Sequence, residues 1–531
     1  MTKRWWEGGC VYQIYPRSFQ DSDGDGVGDL SGIARRLDHL VDLGVDAVWL
    51  SPVYPSPMAD FGYDVADYRD IDPMFGTLAD FDALIAAVHQ RGLKLLMDFV
   101  PNHSSDRHPW FVESRSSRAS PKRDWYIWRD PAPGGGPPNN WTSDFGGSAW
   151  EYDGPSDQYY LHAFLKEQPD LNWRNPDVRA AMLDAMRFWL DRGVDGFRID
   201  VLWHIVKAAG LPDNPLNPDY HPTMGEKFKV LQLHSTDQPE THEIIREMRR
   251  IADSYDGGDE RVLIGEIFLP LPRLMAYYGN ESDGVHLPFN FQLVESDWHA
   301  EAIARFILDY EAALPAHGWP NWVTGSHDAK RMAARVGEAQ ARVAAMLLLT
   351  LRGTPTLYQG DEIGIGEVTI PPDQLKDPRE LREPGLGLGR DPSRTPMAWD
   401  ASLNGGFSEG TPWLPLHSDW QSRNVEAQLG DTGSMLHLYR RLLRLRRGHP
   451  ALSIGECADV RASGDVLSYD RHHEGEHMRI ILNLSGRDQP LPVDVTGFRP
   501  LLTTIADGQP VSPAGGLRAD EGLLLIMDGR T

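Results

Sequence analysis

Three times in the first half of the chain an amphipathic helix ends at a glycine and runs into a short apolar strand. That recurrence constrains the fold more than any other feature. Ile33, Leu37, Leu40 and Val41 lie at helical spacing, Gly44 stops the helix, and Ala47-Val-Trp-Leu50 follows as a strand. Thr77-Leu-Ala-Asp80 reads as a capping box for a helix with Leu84, Ile85 and Val88 on one face. Gly92 closes it ahead of the strand Lys94–Val100. Asp177 can cap a third helix, bearing Val178, Met182, Met186, Trp189 and Leu190, which Gly193 closes before Val194–Asp200. A helix near 240–253 before Val262–Glu266, and the apolar helix Ala344–Leu351 before Pro355–Tyr358, extend the series. Strand and helix in alternation make a parallel sheet, and this many units predict an α/β fold of the (β/α)8 barrel type.

The repeat breaks between Asn102 and about Asn172, where Pro, Gly, Trp and Tyr crowd together and no helical period survives. A small inserted domain is expected there. A second irregular stretch, rich in Pro and Gly, runs from Gly366 to about Leu416 after a strand, which predicts a long loop over the C-terminal face of the barrel. Beyond the basic helix Leu436–Arg447, runs such as Val466–Tyr469 and Met478–Leu484 alternate like antiparallel strands. The 531 residues thus divide into a barrel at 1–103 and 173–455, an inserted B domain at 104–172, and a C-terminal antiparallel β-sandwich at 456–531.

Composition narrows the partners. The formal charge of −25 repels phosphate backbones and anionic lipid, so neither nucleic acid nor membrane is an expected partner. Two cysteines cannot build a disulfide framework, and with no apolar leader behind Lys3-Arg4 the expectation is a cytoplasmic protein. Seventeen each of Trp, Tyr and Phe beside 77 acids suit a neutral ligand with flat faces and many hydroxyls.

Four acids fall at predicted strand ends, where barrel enzymes keep their chemistry: Asp98, Asp200, Glu266 and Asp328. Any one alone reads as a helix cap or solvated loop acid; four on one face do not. Cleaving a glycosidic bond with retention needs one carboxylate nucleophile and one carboxylic acid about 5–5.5 Å away. Arg198, on the same strand face as Asp200, is expected to hold that carboxylate ionised, while a more apolar pocket keeps Glu266 protonated.

In Asp98-Phe-Val-Pro-Asn-His103, Gly196-Phe-Arg-Ile-Asp-Val201, Ile264-Gly-Glu266, Ser326-His-Asp328 and Gln168-Pro-Asp-Leu-Asn172, the chain resembles the α-amylase family of glycoside hydrolases, in its oligo-1,6-glucosidase and α-glucosidase branch. The resemblance implies Asp200 as nucleophile, Glu266 as general acid/base and Asp328 as the carboxylate that grips sugar hydroxyls. It places His103, Arg198 and His327 around one glucose, with Tyr63 stacked on it and Phe164 as a pocket wall. Asp60 with Arg390 would close the non-reducing end, making the enzyme exo-acting on maltose and short α-glucosides. Ser326 departs from the family's usual Asn and leaves the acceptor side open, so transfer of glucose to sugar or alcohol acceptors stands beside hydrolysis. Val201 after the nucleophile leans toward α-1,6 bonds, whereas Leu202-Trp-His-Ile205 leans toward maltose-active enzymes. A sucrose isomerase, or a catalytically dead binding subunit, are the other readings.

Asp21-Ser-Asp-Gly-Asp-Gly-Val-Gly-Asp29 matches the start of a calcium loop, without the bidentate Glu of an EF-hand. The family likeness implies a structural Ca²⁺ or Mg²⁺ held by Asp21, Asp23, Asp25, the Val27 carbonyl and Asp29, with no organic cofactor. His473-Glu-Gly-Glu-His477 spells the zinc-protease pattern, but strand-like flanks and Gly475 predict a polar hairpin turn instead. The basic run Arg440–Arg447 reads as the charged face of a barrel helix.

Overall fold

A computed structural model describes residues 4–255, 260–506 and 515–528. Residues 1–3, which begin the stretch read above as lacking a leader, lie outside them.

Eight parallel strands form the core: β1 Val11–Ile14, β2 Ala47–Leu50, β3 Lys94–Phe99, β4 Gly196–Ile199, β5 Val262–Gly265, β6 Leu287–Pro288, β7 Asn321–Val323 and β8 Thr354–Tyr358. They pair in the order β7-β8-β1-β2-β3-β4-β5-β6. A parallel bridge between Asn290 and Trp322 joins the two ends and completes the ring. The strands are buried on both faces, which is why they read as unbroken apolar runs rather than alternating ones.

The helices begin and end largely where the sequence predicts. Leu30–Leu43 is closed at Gly44, and Thr77 and Asp80 form the capping box of Leu78–Gln90. One cap moves: the third helix is Pro176–Asp191, and Asn175 rather than Asp177 accepts its first free N–H. Proline is pre-set for the first helical position, so the helix starts two residues before the place Asp177 would have set, and Asn175 becomes its cap. Gly196 is held at φ +150° where β4 meets β5, and a Cβ there would come 2.1 Å from the Val262 carbonyl oxygen. That contact fixes how closely the two strands carrying the reactive acids can lie.

Between β3 and Pro176–Asp191 a small antiparallel sheet of Trp128–Arg129, Trp150–Asp153 and Gln158–Leu161 interrupts the repeat. At the C-terminal end, β9 Glu456–Ser463, β10 Val466–His473, β11 Glu476–Asn483, β12 Phe498–Thr503 and β13 Gly522–Met527 form an antiparallel sheet ordered β9-β10-β11-β13-β12. One face docks on the barrel, where the Tyr469 hydroxyl meets Thr350 and Arg471 donates to the Thr350 carbonyl. The other is covered in part by Leu491, Val493 and Val495 over Ile481, Leu523 and Leu525.

The basic helix Met435–Gly448 differs from expectation at one residue. Arg446 is 2% exposed and donates to the carbonyls of Leu349, Leu351, Leu452 and Gly353. It satisfies backbone groups where the last barrel helices, β8 and the C-terminal sheet meet, so only its neighbours form the solvated face. The His473–His477 stretch is a hairpin as predicted: Glu474 and Gly475 make the turn between β10 and β11.

Candidate active site

All four acids reach the C-terminal rim of the barrel. Asp98 lies near the end of β3, Asp200 and Glu266 directly follow β4 and β5, and Asp328 lies in the loop beyond β7. Arg198, on β4 with its side chain 2% exposed, organises three of them. Its Nη1 donates to Asp98 Oδ1 at 2.9 Å and Asp200 Oδ1 at 2.7 Å, and its Nη2 lies 2.8 Å from Glu266 Oε2. Burial pushes Asp98 up to about 7 against the pull of Arg198. Burial likewise raises Asp200 and Glu266, with Arg198 opposing; the charge of Glu266 adds to the rise at Asp200, and that of Asp328 to the rise at Glu266. Three buried carboxylates on one guanidinium cannot all stay ionised, so the group retains a proton near neutrality.

This corrects one expectation. Arg198 does not single out Asp200, and Glu266 has no purely apolar pocket. Glu266 shares the guanidinium and also accepts the Val201 N–H at 2.7 Å. That N–H is aimed by an unusual backbone: Val201 sits at φ 36°, ψ 46°, left-handed space that a β-branched residue rarely enters. Such strain, beside a reactive pair, is a feature of functional sites.

A second layer holds the pocket floor. With Gln13 Nε2 donating to His327 Nδ1 at 2.7 Å, His327 Nε2–H donates to the Tyr63 hydroxyl at 2.8 Å, and Tyr63 donates to Asp98 Oδ2 at 3.1 Å. The Tyr63 and His327 rings stack 5.5 Å apart within 4° of parallel. Burial depresses His327 to about 3 and His103 to about 4, so both are neutral donors or acceptors at physiological pH.

Ion pairs make the opposite wall. Arg390 donates from Nη2 to Asp60 Oδ1 at 2.8 Å and Asp377 Oδ1 at 2.7 Å, and from Nη1 to Asp328 Oδ1 at 3.2 Å. Arg394 Nη2 donates to the same Asp328 oxygen at 2.5 Å. Burial alone would raise Asp328, but the cations facing it, Arg390 and Arg394 at neutral pH, hold it well below the usual carboxylate range. Its side chain remains 35% exposed, facing the open pocket as an ionised acceptor. Gln168, from the inserted segment, spans Asp60 Oδ2 at 3.3 Å and His103 Nε2 at 3.1 Å, and Phe164 lies 5.1 Å from His103.

Residues 13–455 match the family model for the α-amylase catalytic domain. The chain belongs to the α-amylase family. It is 42% identical to a probable α-glucosidase of Rhizobium meliloti over 96% of both chains, and 40% identical to an oligo-1,6-glucosidase of Parageobacillus thermoglucosidasius over 91% of both. Among solved structures, an α-glucosyl transfer enzyme superposes with TM-score 0.94 at 39% identity, covering 99% of this chain and all of that one. A trehalulose synthase from Pseudomonas mesoacidophila does so with TM-score 0.89 at 35% identity, again covering 99% of this chain and all of the other. The likeness read from the five motifs is therefore correct.

In this α-amylase-family chain the ten residues expected at the reacting centre and around the sugar fall into one connected group. Three others in that group were not expected. Asp377, held at about 2 because Arg390 and its hydrogen bonds outweigh burial, is also the N-cap of the short helix Pro378–Arg382, and in sequence it reads as nothing more. Arg394 lies four residues past Arg390 without a distinguishing signal, and Gln13 is a mid-strand residue. Ser326 acts locally, its hydroxyl accepting the Asp328 N–H at 3.2 Å, which an amide oxygen one atom further out would do with different reach.

Beyond Glu266 the surroundings differ in kind. Phe268, two residues past Glu266 and 40% exposed, stacks on Phe291 with ring centroids 3.9 Å apart, and Trp203 closes on Phe268 at 5.7 Å. No helix among the described residues is long and apolar enough to cross a membrane.

The Asp21–Asp29 loop gathers fewer carboxylates than the sequence implies. Asp21, Asp23 and Asp29 each present one oxygen within 4.8 Å of the others; Asp25 stands outside that group and accepts the Val27 N–H at 2.7 Å. Asp29 also caps the helix Leu30–Leu43 through the Gly32 N–H. Gly26, at φ +93°, lets the loop press on the long segment after β8, where a Cβ would meet the Thr411 carbonyl oxygen at 2.0 Å. Asp21 accepts the Ser408 hydroxyl from the same segment.

Proposed function

We propose that the protein is a retaining, exo-acting α-glucosidase that releases glucose from the non-reducing end of maltose-like α-glucosides. The observation that carries this reading is the single guanidinium of Arg198 holding Asp200 and Glu266 on adjacent nitrogens, opposite an ionised Asp328. That closeness suits the short carboxyl separation of a retaining mechanism. In the productive protonation state the proton is on Glu266 and Asp200 is ionised. Asp200 attacks the anomeric carbon while Glu266 protonates the departing oxygen, giving a covalent β-glucosyl-enzyme; Glu266 then takes a proton from a water whose oxygen attacks the anomeric carbon, breaking the bond to Asp200 and releasing glucose. Asp328, fixed by Arg390 and Arg394, accepts hydrogen bonds from sugar hydroxyls, and His103 and His327 complete the ring of contacts. The Asp60–Arg390–Asp377 wall supports exo action because it occupies the space a longer chain would need beyond the bound glucose.

A second reading has its own support. The exposed Phe268 and its stack on Phe291 give the acceptor an apolar surface, which favours alcohols over water and so transfer over hydrolysis. Chromatography of products from maltose, isomaltose and sucrose, each with and without a non-sugar alcohol, separates hydrolysis, linkage preference, isomerisation and transfer. Asp200→Asn should end glucose release from p-nitrophenyl α-glucoside; unchanged release would sink the mechanism.

The same reading includes a structural Ca²⁺ or Mg²⁺ in the Asp21–Asp29 loop. The all-oxygen donor set of Asp21, Asp23 and Asp29, joined by Asp25 and the Val27 carbonyl, suits such a hard cation, which when bound would supply charge neutralisation between clustered acids. It also includes a cytoplasmic location, supported by the free thiols Cys10 and Cys457.

A further inference from the structure

The zinc-protease spelling at His473–His477 fails because the two histidines lie on different strands of a hairpin, and the register sets them on opposite faces of the sheet. His477 is left on the outer face of the C-terminal sheet, directly opposite His472 of β10, while His473 pairs with Glu476. Here the register assembles a different donor set. The His472 and His477 rings lie 4.1 Å apart, and one ligand atom from each, with a carboxylate oxygen of Asp470, fall within 4.8 Å of one another. Asp470 is 2% exposed and both histidines are half-buried. On the far side of His472, β9 places Glu456 opposite it in register, and that exposed carboxylate makes no hydrogen bond or ion pair among the described residues. Residues directly opposite in an antiparallel pair have Cβ atoms roughly 4.5–5.5 Å apart, within reach of a common ion.

We propose that Asp470, His472 and His477, with Glu456 as the fourth donor, form a surface site for a borderline divalent cation of the zinc type, remote from the sugar pocket and unrelated to its chemistry. Two imidazoles and two carboxylates are a donor set that zinc accepts in tetrahedral geometry and that calcium, which prefers oxygen alone, does not favour. The ion takes the place of the 2.8 Å contact between His477 Nε2 and Asp470 Oδ2. Arg479 grips both Asp470 oxygens, at 2.7 and 2.6 Å, and becomes the outer partner that orients the ligating carboxylate. Its positive charge opposes the cation, and Asp470 and Glu456 together outweigh it. Because the donors come from β9, β10 and β11, the bound ion staples three strands of one sheet.

The test is a Zn²⁺ titration of the full chain, freed of metal with a chelator and kept in excess Ca²⁺ so that the aspartate loop does not compete. One Zn²⁺ should bind per chain, and His472→Ala and His477→Ala should each weaken it by at least about tenfold, the scale on which even outer partners act. His473→Ala, in the same hairpin but on the other face, should bind as the parent does. All three variants should keep their glucosidase activity, which shows that they fold. No zinc binding by the parent, equal binding by His472→Ala and His477→Ala, or an equal loss in His473→Ala would each overturn the site.

Discussion

The two sides of the reacting carboxylates are built from opposite materials. On the donor side charge and hydrogen bonds dominate: Arg198, Arg390 and Arg394 bind the surrounding carboxylates, and the chain from Gln13 through His327 and Tyr63 ends on Asp98, with the Tyr63–His327 stack and Phe164 filling in beside them. On the side beyond Glu266, proposed to take the acceptor, Phe268 stacks on Phe291 and Trp203 meets Phe268 at a tilt. Buried charge pairs tolerate almost no displacement, because removing one partner strands the other in a low-dielectric site. Stacked rings slide at little cost. In the proposed mechanism the first side suits one sugar in one pose, and the second suits acceptor hydroxyls of varied origin.

The contrast can be broken most sharply at its centre. Asp200→Asn should lower kcat by roughly 10⁴-fold or more, as loss of a residue that acts only in the transition state does, with fold and melting temperature preserved. Release rates on p-nitrophenyl α-glucoside measure it.

Next in size is the wall. Arg390→Ala leaves Asp60 and Asp377 buried without their cation, a loss of about 3–5 kcal/mol where a buried pair is broken. A fall in thermal unfolding temperature and a steep loss of kcat/KM on maltose should appear together. If the wall sets exo action, the residual activity should shift toward longer maltodextrins.

The pH profile probes the shared proton. Asp200 must be ionised, so activity falls as pH drops through its raised value, and Glu266 must be protonated, so activity falls as pH rises through its own. Both are raised by burial, which moves the whole bell above the range of free carboxylates. In Glu266→Gln the alkaline limb should vanish from the residual hydrolysis of an activated substrate. A limb that stays in place would assign that proton elsewhere.

Smaller effects lie at the periphery. With the proposed divalent ion in the Asp21–Asp29 loop, a chelator should lower the unfolding temperature by a few degrees, since an ion at about 100 times its Kd contributes roughly 2.7 kcal/mol; an unchanged temperature would remove the ion from the account. Phe268→Ala should change glucose release by no more than about threefold, an apolar contact's worth, while cutting the yield of alkyl glucosides in the presence of an alcohol. Equal loss of both products would mean that the ring serves the donor instead.

The donor side was far more legible in the sequence than the acceptor side, for a physical reason. Asp98, Asp200 and Glu266 sit on or directly beyond regular strands, so chain position fixes their direction, and Arg198 precedes Asp200 by one strand repeat. Asp377 and Arg394 arrive from the irregular segment after β8, where no period relates sequence to space, and Asp377 carries the appearance of an ordinary helix cap. The burial of Arg446 was equally hidden, because helical spacing shows which residues share a face and not how many carbonyls meet there. What Arg198 does to Glu266 needed three dimensions: spacing pairs it with Asp200, and only the ring of strands brings Glu266 to its other nitrogen.

The central claim is that Asp200 forms a covalent bond to glucose while Glu266 supplies and removes the proton. Incubation with a 5-fluoro-α-glucosyl fluoride, which forms such an intermediate faster than water removes it, followed by peptide mass spectrometry, tests it directly. One fluoroglucosyl group is expected on the peptide containing Asp200, and none in Asp200→Asn. A label on Glu266 or Asp328, or full turnover with no labelled peptide at all, would contradict it.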